Sequence, residues 1–61
     1  MKLDKSILDL NLTDFNKTII NTLGNEVWGK INNELDTSCV LFKSGADKYK
    51  ELVYEYLVNI L

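Results

Sequence analysis

The stretch TSCVLFK, residues 37–43, decides between two folds. Its threonine, valine and phenylalanine favour a strand. Pairing it with EVWGKI, residues 26–31, would make the chain α+β, with a short hairpin around residues 26–43. If it does not pair, and residues 36–43 are helix or loop, the chain is mainly α: a compact three-helix mini-domain with a long C-terminal helix. The flanking segments favour the second reading, and it is the expectation here.

On the C-terminal side, Ala46, Tyr49, Val53, Tyr56 and Ile60 recur at alternating spacings of three and four, joined on one face by Leu52 and Leu57. Ser44, followed by Asp47 three positions later, reads as a variant capping box. The pattern predicts a helix over residues 45–60.

On the N-terminal side, Phe15, Ile19, Ile20 and Leu23 predict a helix capped by Thr13. Gly24 then provides a stop, and Asn25 caps a second helix bearing Val27, Trp28, Ile31 and Leu35. One straight helix from Phe15 to Leu35 fits less well, since spacings of four drift by about 40° per step. The segment LDLNL, residues 8–12, alternates like a half-buried strand. Leu3 before Asp4, with Leu8 four positions beyond that cap, also fits a hydrophobic staple on a short helix.

With 61 residues the chain is one domain, near the lower size limit for a core without metals or disulfides. Cys39 is its only cysteine, so no internal disulfide and no cysteine zinc pattern is possible. No cofactor or metal is expected. The aspartates at 4, 9 and 14 interrupt the leucine-rich N-terminus, which does not read as a signal peptide. No apolar run approaches the 18 or so residues of a spanning helix, so no membrane contact and a cytoplasmic location are expected.

The net charge is −2, and every one of the seven basic residues is lysine. Without arginine, bidentate recognition of guanine or phosphate is lost, and nucleic acid is an unfavoured partner. The segment NKTIINTLGNEVWGKINNEL, residues 16–35, has a glycine between two short helices, as a helix-turn-helix does. Ile20, Asn25 and Lys30 depart from that pattern, and Glu26 and Glu34 balance Lys17 and Lys30. A small transcriptional regulator of this kind is retained as an alternative.

Catalysis is not expected. The chain has no histidine to act as general base or to activate Cys39. A weak anion or nucleotide site is conceivable at a helix start formed by Lys43, Ser44, Gly45 and Lys48; ordinary capping explains the same residues.

The C-terminal helix carries more apolar surface than one small core requires. Tyr54, Val58 and Leu61 lie together on a flank outside the main stripe, leaving only a narrow polar strip. With Trp28, they form the candidate interface of a protein-interaction protein, most simply a homodimer. The chain has no proline or arginine but seven asparagines and seven lysines, the residue usage of an A/T-rich genome. The concrete expectation is a phage- or mobile-element-encoded inhibitor of a host or defence enzyme.

Overall fold

The computed structural model describes residues 3–61, and among them every regular element is helical. A short 3-10 turn spans Lys5–Asp9, followed by α1 (Leu12–Leu23), α2 (Asn25–Leu35) and α3 (Thr37–Ile60). TSCVLFK is therefore helix, and the hairpin alternative is not formed. Its Cα radius of gyration is 10.5 Å, matching the ~10.5 Å expected of a compact chain this long.

Each helix starts for a local reason. Asn11, rather than Thr13, caps α1. Its Oδ1 accepts from the Asp14 amide at 2.9 Å, and its Nδ2 donates to the Asp14 carboxylate at 3.1 Å. Asp4 caps the 3-10 turn by accepting from the Ser6 amide at 3.1 Å, so LDLNL begins in a helical turn and is not a strand. Gly24 ends α1 and begins α2 with φ 90° and ψ 167°, and Asn25 is the first helical residue, not the cap.

Gly45 repeats that conformation inside α3, with φ 85° and ψ 172°, so the element is two helical arms meeting at a corner. Ser44 still belongs to the first arm, and the long arm starts one residue later than the capping-box reading places it. Backbone in this region is essentially restricted to glycine. A Cβ built on Gly45 meets no atom within 4 Å, and neither does one on Gly29 inside α2. The two glycines therefore isolate backbone preference from packing. Gly45→Ala is expected to lower stability by about 1–3 kcal/mol, and Gly29→Ala to raise it by about 0.5–1 kcal/mol. Urea unfolding of both variants checks the opposite signs.

The core is a cluster of Leu3, Ile7, Phe15, Ile19, Ile31, Tyr49, Val53 and Leu57. Phe15 and Tyr49 meet edge to face, with centroids 6.1 Å apart. The Tyr49 hydroxyl donates to Asn16 Oδ1 at 3.0 Å, tying α1 to α3, while burial raises its pKa against the opposing effect of that hydrogen bond. A second polar stitch joins α2 to α3. Thr37 Oγ1 donates to Asn32 Oδ1 at 2.7 Å, and Asn32 Nδ2 donates to the Trp28 carbonyl at 3.0 Å. It spans the turn at Asp36, which adopts the left-handed conformation (φ 45°, ψ 58°) that aspartate tolerates better than most residues.

Candidate functional site

The N-terminal segment covers the excess apolar flank of α3 at Tyr54 and leaves Val58 and Leu61 exposed. On the long arm, Tyr49, Val53 and Leu57 face the core. Lys50 lies about 60° to one side of their centre, toward Tyr54 and Leu61. Its side chain is buried, at 7% exposure for the residue, and reaches the end of the 3-10 turn. There Nζ donates to the carbonyls of Leu8 at 2.9 Å and Leu10 at 2.7 Å, with Asp47 Oδ1 at 3.7 Å. The ammonium group thus makes two hydrogen bonds to backbone carbonyls and one long ion pair to an exposed carboxylate. The carbonyls at the end of a short helical turn are those its own amides leave unpaired, so one lysine caps the turn and fastens it to α3. Leu8, Leu10 and Tyr54 pack against the core alongside it.

Covered by that strap, Tyr54 is half-buried, and the flank no longer presents one continuous patch. Among the described residues four large apolar side chains remain exposed: Phe42 at 90%, Leu61 at 58%, Val58 at 51% and Ile60 at 44%. Ile60 was expected on the core stripe and is instead at the surface of the last turn. Phe42 is the residue that sequence reasoning passed over. In the short arm, Thr37 is buried and Val40 and Leu41 are partly so. At about 100° per residue, Phe42 falls about 200° from Val40 and is carried to the outer face.

The candidate interface residues divide accordingly. Tyr54 and Val58 line an open groove of about 420 Å³ between α3 and the 3-10 turn, together with Lys5, Leu8, Glu51 and Glu55. Leu61 lines a second groove, of about 320 Å³, on the α2 side, with Val27, Tyr56, Ile60, Glu26 and Glu34. Desolvation, and after it the charge of Glu34, raises the Tyr56 pKa. Trp28 lines neither groove and is partly buried against the core cluster.

The candidate anion-binding residues sit around the Gly45 corner. Lys43, Ser44, Gly45 and Lys48 are all exposed there, with Lys43 and Ser44 closing the short arm and Lys48 in the first turn of the long one. Lys50, a further lysine nearby in sequence, is committed to the strap and unavailable to an anion.

The helix-turn-helix alternative is weakened by its connection. The single residue Gly24 joins α1 to α2, where a helix-turn-helix has a turn of about three or four residues. No helix of the described residues is long and apolar enough to cross a membrane. Comparison with protein-family models, with curated proteins and with solved structures finds no match to the chain.

Proposed function

We propose that this protein acts by docking on another protein and not by catalysis, in the manner of a small inhibitor that blocks its target by occupying a surface. The observation that carries the reading is the exposure of Phe42, Val58, Ile60 and Leu61 after the fold has closed. An open or half-formed fold does not explain it. The accessible surface of 4129 Å² is close to the ~4,000 Å² expected of a monomer of this mass. Single exposed apolar residues are ordinary; an almost fully exposed phenylalanine and three aliphatic residues gathered at one helix end are a concentration of them. The lack of histidine supports binding over acid–base chemistry. The A/T-rich residue usage is consistent with a gene carried by a phage or mobile element.

Self-association is the competing reading, and it has a specific cost. A twofold dimer through the α3 flank sets a surface against its own copy, which brings two flanks, each carrying Glu51 and Glu55, into one interface. Light scattering over a hundredfold concentration range separates the two. The expectation is a monomer throughout, with one stoichiometric protein retained from a lysate by the immobilised wild type and not by Val58→Ser/Leu61→Ser or by Phe42→Ser. A wild-type dimer that Tyr54→Ser/Val58→Ser converts to monomer would overturn the expectation in favour of the homodimer. Recovery of the same proteins by every variant would overturn docking through these side chains.

A further inference from the structure

We infer that the C-terminal end of α3 is a docking surface for a cationic amphipathic segment, a partner helix or peptide whose lysines or arginines flank a row of apolar side chains. This rests on the reading of the protein as a docking module and adds the chemistry of its partner.

The two grooves described above lie on either side of the same helix end, and they share a composition. In each, two glutamates and one lysine rim an apolar floor. Glu51, Glu55 and Lys5 surround Leu8, Tyr54 and Val58 on one side. Glu26, Glu34 and Lys30 surround Val27, Tyr56, Ile60 and Leu61 on the other. Four carboxylates against two ammonium groups leave this end with a net charge of −2, equal to that of the whole chain. Outside it, five acidic and five basic residues balance.

The backbone adds to the same sign. The C-terminal ends of helices carry a partial negative charge from their unpaired carbonyls. α3 has no basic residue in its last turn to offset it. Val58 and Leu61, about 60° apart on the helix, stand exposed between the two grooves, and Ile60 is exposed on the α2 side. An apolar ridge with acidic shoulders complements a segment with the inverse arrangement, as an amphipathic helix laid along a groove does. It disfavours a second copy of itself and any phosphate-bearing partner, which would place like charges face to face.

The test uses the full chain and two fluorescein-labelled amphipathic peptides of about 14 residues, one of leucine and lysine and the other of leucine and glutamate. Fluorescence anisotropy should show the lysine peptide binding at least about tenfold more tightly than the glutamate peptide. Raising NaCl from about 0.05 to 0.5 M should weaken it by about fivefold or more. Glu51→Gln/Glu55→Gln should weaken binding by about fivefold, whereas Asp36→Asn/Asp47→Asn, with the same change in net charge outside the grooves, should change it by less than about twofold. Val58→Ser/Leu61→Ser should abolish it.

Equal effects of the two charge-removing pairs would overturn the inference, since attraction would then be to the net charge and not to this surface. Failure of both peptides to bind would overturn it too. Tight binding of the glutamate peptide, lost in Val58→Ser/Leu61→Ser, would overturn the cationic partner while leaving docking at this helix end standing.

Discussion

Replacing Lys50 by methionine lowers stability by about 2–4 kcal/mol, because the Leu8 and Leu10 carbonyls lose a charged donor within a partly buried contact. Methionine keeps most of the aliphatic stem, so the loss isolates the ammonium group from its packing. The contact also holds down the strap that carries Leu3 and Ile7 into the core. A chain of 61 residues has a total stability of only ~3–9 kcal/mol. The expected result in urea is therefore a large fall in midpoint together with a smaller m value, since a native state with its strap released buries less surface. Asp47→Asn is the control. The Asp47 side chain is fully exposed, and its loss should shift stability by less than about 0.5 kcal/mol. A Lys50→Met midpoint equal to wild type would show that the strap is held by its leucines alone.

Phe15→Ala is expected to cost about 3–5 kcal/mol, about half or more of the stability of a chain this size. Phe15 has no accessible surface and packs its ring against Tyr49. Deleting it opens a cavity at the junction of α1 and α3, beside the hydrogen bond from Tyr49 to Asn16. A core this small has few neighbours able to move into the space, which puts the change at the costly end of the range. Phe15→Leu serves as the graded variant, at about 1–2 kcal/mol. Near-ultraviolet circular dichroism and urea unfolding read both. A loss for Phe15→Ala below about 1 kcal/mol would mean that the ring is not the centre of the core.

The outcome at Phe15, Ile19, Ile31, Val53 and Leu57 was legible in the sequence, because each lies on a stripe with helical spacing and each is buried. What periodicity could not resolve were positions where two residues or two conformations compete on nearly equal terms. Asn11 and Thr13 can both cap a helix; Asn11 does so because Asp14 returns the hydrogen bond to its side chain, which a single-residue preference does not register. TSCVLFK has strand-forming side chains, yet it forms a helical arm, with Thr37 joined to Asn32 and with Val40 and Leu41 packed on the core. Tertiary contacts outweigh a preference worth about 1 kcal/mol or less.

The candidate site was less legible, for a related reason. The flank of Tyr54, Val58 and Leu61 was correctly placed outside the core stripe, but the segment that half-covers Tyr54 lies some 40 residues away in the chain, as the Lys50 to Leu10 hydrogen bond shows. Charge patterning assigns a lysine to solvent by default, so nothing local marked Lys50 as the fastening. Phe42 was hidden by the opposite default, that phenylalanine belongs inside. Its exposure follows from the register of the short arm, in which Thr37 meets Asn32 and Val40 and Leu41 meet the core.

The glycine corners bear on how quickly the molecule assembles. Gly24 and Gly45, with nearly identical backbone angles, and Asp36 between them are each the whole connection between successive helical pieces. Helices joined by single residues meet without a long loop to close, so little chain entropy opposes their first contacts. Such local topology belongs to the fast end of folding rates. Only the strap must search across most of the chain length. Its docking on Lys50 should come after the helices have met, making the last event of folding the one that decides how much of α3 stays uncovered.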